Sequence, residues 1–207
     1  VLQSETHPAT GREPLRERIT NLYWETRLGI ATRGLVGNDN PDSLHYATVN
    51  YSTLWRILDH LALQPDDTFV DIGCGKGRIL CCAARYRCNQ VVGVDLSEQL
   101  CQIARANAAR LHGRKTPVEV HHGYAQEFDY RDATACYLFH PFGATTLDLV
   151  LNKIRTDRDG RAVRIAFQNP DAAHAAVFAK HDWLQPYTRW EPTTHHTQHV
   201  VTFHRSG

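Results

Sequence analysis

Between positions 65 and 170 the apolar residues gather in five short blocks, at 69–72, 91–94, 118–120, 135–139 and 163–167. Stretches with helical spacing lie between them. Uninterrupted apolar runs suit strands buried on both faces, and their alternation with helices predicts a parallel sheet covered on both sides. Beyond 170 the pattern changes. A helix is predicted over 173–184 with Asp171 as its cap, followed by strands at 184–190 and 198–204. No helix fits between those two strands, so they are expected to pair antiparallel at the sheet edge.

Ahead of the first block, Leu15, Ile19 and Leu22 repeat at helical spacing after Pro14, with Gly29 as the stop. They predict an amphipathic helix with that stripe facing inward. Residues 34–50 read as a long loop rich in Gly, Asn and Asp, a candidate lid. Ser52 is expected to cap a second helix whose stripe is Leu54, Ile57, Leu58 and Leu61, with Pro65 ending it. Tyr23, Trp24 and Trp55 fall on or beside these stripes and read as packing residues. The first dozen positions are polar and read as a loose arm. This divides the chain into an arm and helical lid, 1–51, and a main domain, 52–207.

Composition narrows the class. The chain has 207 residues, 42% hydrophobic and 22% charged, enough to fold around one core without a disulfide or metal staple. With 23 basic against 22 acidic side chains there is no global field to attract nucleic acid or an anionic membrane, so neither is expected as a partner. The six cysteines include no C-x-x-C pair and read as reduced thiols, which points to a cytoplasmic location. No apolar run reaches the length of a membrane span. Thirteen histidines make charge sensitive to a fall in pH toward 6.

The chemistry begins at "FVDIGCGKGR", residues 69–78, where a stiff strand runs into Gly73, Gly75 and Gly77. In doubly wound sheets ligands bind outside the carboxyl edge. Glycines there allow a sharp turn and close approach to the main chain. The next strand ends in Asp95, where an acid that accepts hydrogen bonds from a ribose diol should fall. The dinucleotide pattern G-x-G-x-x-G fails because Arg78 follows Gly77, and the phosphate-cradling G-x-x-x-x-G-K-[ST] is absent.

"VDIGCGKGR" resembles the first motif of class I S-adenosylmethionine-dependent methyltransferases, and the resemblance extends through Asp95, "HHGYA" and "LFHPFG", covering about 52–204. It implies an α/β fold: a Rossmann-like doubly wound seven-stranded sheet, mainly parallel with one antiparallel strand, ordered 3-2-1-4-5-7-6, plus an N-terminal helical cap. The implied cofactor is S-adenosyl-L-methionine, with S-adenosyl-L-homocysteine as product. By the same resemblance Gly73, Cys74, Gly75 and Gly77 form the cofactor loop, Asp71 lies near the cofactor's ammonium, Asp95 holds the ribose, Leu96 packs on the adenine and Phe139 lines the site. Many members carry Gly-Asp-Ala at the adenine edge, whereas this chain has Gly123, Tyr124 and Ala125. Gln126, a backbone carbonyl or stacking by Tyr124 could take over. "HYATVNYST" resembles segments that fold across the cofactor, making Tyr46, Thr48 and Tyr51 candidates; anchoring the lid is their alternative role.

Methyl transfer from a sulfonium is an in-line displacement that needs alignment and no metal. Its acceptor belongs at the end of the fourth strand, where "LFHPFG" resembles the Asn/Asp-Pro-Pro-aromatic grip of amine methyltransferases with His140 in first place and Phe142 in last. Neutral His140 could accept a proton, or cap the next helix; Phe142 could pack on a planar or cationic acceptor. No metal is expected: His195, His196 and His199 do not share one face of a strand, and no Cys or acid accompanies them at ligand spacing. The function expected is transfer to an N or O acceptor of a small molecule. A protein side chain of the lysine type is the alternative acceptor, and a non-catalytic cofactor-binding scaffold the alternative to an enzyme.

Overall fold

The structure, a computed structural model, describes residues 15–33, 49–193 and 199–207. Seven strands form one sheet: β1 (Thr68–Ile72), β2 (Gln90–Asp95), β3 (Val118–His122), β4 (Ala135–Phe139), β5 (Arg164–Gln168), β6 (Leu184–Trp190) and β7 (Val201–Ser206). Their order is β3-β2-β1-β4-β5-β7-β6. β1 to β5 pair in parallel, and β7 runs antiparallel to both β5 and β6. This is the order the resemblance implied.

The helices are α1 (Leu15–Leu28), α2 (Tyr51–Leu61), α3 (Arg78–Ala83), α4 (Glu98–Arg110), α5 (Ala144–Arg158) and α6 (Ala172–Lys180). Alternation along the central strands feeds two cores. Phe69, Val91, Ala135 and Tyr137 join α2, α3 and Phe203 on one face, while Val70, Ile72, Val92, Cys136 and Leu138 meet α5 and α6 on the other. All five β1 residues are buried, including Asp71. β3, an edge strand, is mostly exposed.

Three local expectations are corrected. Helix α2 starts one residue early, at Tyr51, after Asn50, whose carbonyl accepts from the Thr53 and Leu54 amides; Ser52 does not cap it. The last strand lies later than 198–204, with Val201 and Phe203 turned into the core. Helix α1 is rotated from its predicted face: Leu15, Ile19 and Leu22 are 69%, 59% and 51% exposed, while Asn21, Glu25 and Leu28 are buried. A polar network decides that rotation. Glu25 Oε1 accepts from the Thr32 amide and hydroxyl, both at 2.8 Å, and Arg33 Nε donates to Oε2 at 2.7 Å.

Arg78, the residue that spoiled the dinucleotide pattern, completes the network. Its guanidinium donates to Thr32 Oγ1 and to the Val49 carbonyl, each at 2.7 Å, approaches Glu25 at 3.4 Å and lies over the Tyr51 ring at 4.7 Å. Burial pushes the Glu25 carboxyl up, but the Thr32 and Arg33 hydrogen bonds and the Arg78 charge hold it below its ordinary value. Trp24 packs on Tyr51 and Trp55, as expected of packing residues, whereas Tyr23 is half-exposed.

Candidate active site at the carboxyl edge of the sheet

The glycine loop is held by backbone hydrogen bonds. The Gly73 and Cys74 amides donate to the Val94 carbonyl at 2.8 and 3.0 Å, fixing the loop over the end of β2. Gly73, Gly75 and Gly77 all have positive φ, at 80°, 53° and 76°. A Cβ on Gly73 would stand 2.4 Å from the Pro141 Cβ, so both the turn and the neighbour demand glycine. Gly93, which the sequence did not single out, leaves room in β2 for Leu80 and the Cys74 thiol. Burial pushes that thiol well up, so Cys74 fills space and is not a nucleophile.

Two carboxylates flank the loop. Asp95 Oδ2 accepts from the Gly75 amide at 2.8 Å and Oδ1 from the Ser97 amide at 2.9 Å. The carboxylate is thereby fixed at the cleft, with lone pairs to spare for a diol. Burial pushes its pKa up, opposed by those two amides. Asp71 is buried, and no described residue donates a hydrogen bond to it. Burial, and then the Asp95 charge, push its carboxyl well up. A buried acid without a donor fits a cationic ligand group.

Beyond β2, the Leu96 carbonyl faces His122 Nε2 at 3.1 Å. Tyr124 precedes a single 3-10 turn, Ala125–Glu127, and is 51% exposed, a ring open to a flat ligand; Ala125 is half-buried and its carbonyl accepts from the Tyr130 hydroxyl. Tyr51 is fully buried under Arg78, so the structure puts it in the core and not at the cleft. Tyr46 and Thr48 lie outside the described residues, as do His195 and His196.

The "HPFG" turn leaves β4. His140 has φ 39° and Asn169, at the end of β5, has φ 61°; both are left-handed without being glycine. Such strain gathers at functional sites. The two are joined: His140 Nδ1 lies 2.7 Å from the Asn169 carbonyl. A carbonyl only accepts, so Nδ1 carries the hydrogen and Nε2 of the neutral ring keeps its lone pair. Nε2 lies 4.0 Å from Asp171 Oδ2. Asp171 caps α6 as predicted, accepting from the His174 amide at 2.9 Å. Phe139 packs near His199 at 5.3 Å, and Phe142 packs among the α5 and α6 side chains. Sequence reasoning missed His174, Lys76 and Asn107. Lys76 Nζ donates to the Arg33 carbonyl, and Asn107 bridges the Lys76 and Ala31 carbonyls, tying the loop to the segment after α1.

Residues 69–156 match the family described as "Methyltransferase domain". A ribosomal RNA small subunit methyltransferase A from Geobacter metallireducens is 37% identical over 87 residues, 42% of this chain and 30% of that protein. A ribosomal protein L11 methyltransferase from Polynucleobacter necessarius is 28% identical over 144 residues, 68% of this chain and 42% of that protein. The chain spans less than half the length of these two relatives. Among solved structures, an RNA methyltransferase from Salinibacter ruber in complex with S-adenosyl-L-homocysteine superposes with a TM-score of 0.58 at 21% identity, covering 77% of this chain and 92% of that one. Over residues 69–156, and in its fold, the chain is similar to the Rossmann-like, class I S-adenosylmethionine-dependent methyltransferases. The family's cofactor, S-adenosyl-L-methionine, fits the residues present: Asp71 answers an ammonium, and the fixed Asp95 carboxylate answers a ribose diol. An RNA methyltransferase among the relatives removes the ground for excluding nucleic acid on charge alone. No helix among the described residues is long and apolar enough to cross a membrane.

Proposed function

We propose that this chain is an enzyme that transfers a methyl group to a nitrogen or oxygen of a small-molecule acceptor. S-adenosyl-L-methionine supplies an electrophilic methyl carbon and leaves as S-adenosyl-L-homocysteine. Asp71 pairs with its ammonium, Asp95 accepts from its ribose hydroxyls, Leu96 and Tyr124 flank its base, and the Gly73 to Gly77 backbone passes beneath. Held in line, donor and acceptor avoid an entropic cost of up to about 7 to 11 kcal/mol.

The observation that carries the reading is the contact between Gly73 and Pro141, which sets the acceptor turn against the cofactor loop. His140 follows β4 directly, its Nδ1 hydrogen committed to Asn169. Its Nε2 lone pair can take the proton that an attacking N–H or O–H must lose. Phe142, partly buried against the α5 and α6 core, is the aromatic candidate in the same turn. The connections after β4 and β5 are only the residues 140–143 and 169–171, with no added recognition unit, which favours a compact acceptor.

A protein side chain is the second reading, favoured by the likeness to the ribosomal protein L11 methyltransferase over 68% of this chain. Incubation with methyl-labelled S-adenosylmethionine and cell extract separated into small-molecule, protein and RNA pools tests both. Label in the small-molecule pool is expected. Label confined to protein or RNA reassigns the acceptor, and cofactor binding without label in any pool indicates a scaffold. With the identified acceptor, His140→Ala should lower kcat about 100-fold while leaving cofactor affinity within twofold; an unchanged kcat removes His140 from the mechanism.

A further inference from the structure

His140, Asp171 and His174 converge where β4 and β5 end, with one ligand atom from each lying within 4.8 Å of the others. Each histidine has one ring nitrogen occupied by a backbone carbonyl. His140 Nδ1 faces the Asn169 carbonyl at 2.7 Å, and His174 Nε2 faces the Phe142 carbonyl at 2.8 Å. Carbonyls only accept, so both nitrogens carry hydrogen, and the opposite nitrogens, His140 Nε2 and His174 Nδ1, are the ones turned toward Asp171. His174 Nδ1 lies 2.7 Å from Asp171 Oδ1, and His140 Nε2 lies 4.0 Å from Oδ2.

In neutral rings this sets two lone pairs against a carboxylate. At 2.7 Å the His174 lone pair and the Asp171 carboxylate cannot face one another without a positive charge between them, a proton or a metal ion. A proton on His174 meets that contact, while at 4.0 Å, beyond hydrogen-bond reach, His140 Nε2 and the carboxylate leave a gap that an ion can fill. We propose that the three groups form a binding site for a first-row divalent transition metal of the zinc type, with His140 Nε2, His174 Nδ1 and the Asp171 carboxylate as ligands.

The surrounding geometry is that of a supported site. Metal-binding histidines commonly donate their other N–H to a carbonyl, which fixes tautomer and ring direction. Both rings here do so. His174 is 1% exposed and held rigidly, while Asp171 is half-exposed and gives an ion a way in. Ligand atoms about 2.0 to 2.2 Å from zinc sit about 3.3 to 3.6 Å apart at tetrahedral angles, and the 2.7 and 4.0 Å spacings to Asp171 bracket that range. Two imidazoles and one carboxylate favour zinc, cobalt or iron over magnesium, which prefers oxygen ligands. The expectation that no metal binds rested on the tail histidines and on methyl transfer needing none, and it did not consider this cluster. The ion and an acceptor's proton would compete for the same His140 lone pair, so acceptor activation becomes metal-sensitive.

Calorimetric titration of the full chain with Zn2+, and absorption spectroscopy with Co2+, test the site without reference to methyl transfer. One equivalent is expected, with Co2+ giving the intense visible bands of low coordination number. His140→Ala and Asp171→Asn should each weaken Zn2+ at least tenfold while melting as cooperatively as the parent chain. His121→Ala, a surface control, should not. No binding, or binding that survives both ligand variants, overturns the proposal; the same samples titrated with S-adenosylmethionine keep that outcome separate from the cofactor reading.

Discussion

Asp71 and Asp95 lie at the ends of adjacent strands, yet they have different tasks. Asp95 has two backbone amides to offset its charge, and Asp71 has no donor among the described residues. A carboxyl whose folded pKa lies above its unfolded value stabilises the fold fully only below the unfolded pKa, and that contribution is lost as pH rises. As pH rises toward neutral the chain therefore bears the cost of keeping this carboxyl buried, and a bound ammonium would offset it. Asp71→Asn should raise the melting temperature of the ligand-free protein by a few degrees and weaken S-adenosylmethionine binding at least tenfold. Paired thermal melts and cofactor titrations check this; a lower melting temperature or unchanged affinity contradicts it.

Helix α1 shows where reading a single element fails. Leu15, Ile19 and Leu22 are apolar at helical spacing, but Glu25 sets the face because Arg78, Thr32 and Arg33 all require it. Those partners lie on other elements, so no window along the sequence contains the reason. Glu25 would keep Arg33 and Thr32, but removing Arg78 leaves the Thr32 hydroxyl and the Val49 carbonyl without their charged donor, at a cost of about 1 to 3 kcal/mol. Arg78→Met should lower unfolding free energy by that amount in urea, and a loss below about 1 kcal/mol would show that the network does not hold α1 in place.

Acid acts on a different element, the β6–β7 pair. His204 stacks on Phe178 with ring centroids 4.0 Å apart, and burial pushes its pKa down to about 4. Burial also lowers His60, which packs between Tyr187, Trp190 and Phe203 with Nε2 lacking a partner, and His199. A histidine depressed on folding binds fewer protons in the native state. Its stabilisation is complete above the unfolded pKa near 6.5 and is lost as pH falls toward 4. Urea midpoints should thus decline across that interval, and His204→Phe should flatten the decline; equal slopes in both proteins would clear His204.

At the scale of the whole molecule, the parallel sheet was legible because β1, β2, β4 and β5 are buried on both faces and so are mostly apolar, with Asp71 a buried exception. The glycine loop was legible because Gly73, Gly75 and Gly77 need positive φ that other residues resist. The cluster of His140, Asp171 and His174 was not. It exists only because a crossover through α5 brings the ends of β4 and β5 side by side, and the histidines sit too far apart in sequence to form a recognisable ligand motif. Tyr51, read as either a cofactor contact or an anchor for the lid, lies in the core under the guanidinium of Arg78, a neighbour no sequence window contains.

The central claim is that this loop and the Asp95 carboxylate together hold a nucleoside sulfonium. Calorimetric titration with S-adenosylmethionine and S-adenosylhomocysteine, on the parent chain and on Asp95→Ala, tests it most directly. We expect one molecule of either ligand to bind the parent chain and the variant to bind at least tenfold more weakly with its melting curve intact. No heat from the parent chain, or equal affinity in the variant, contradicts the account.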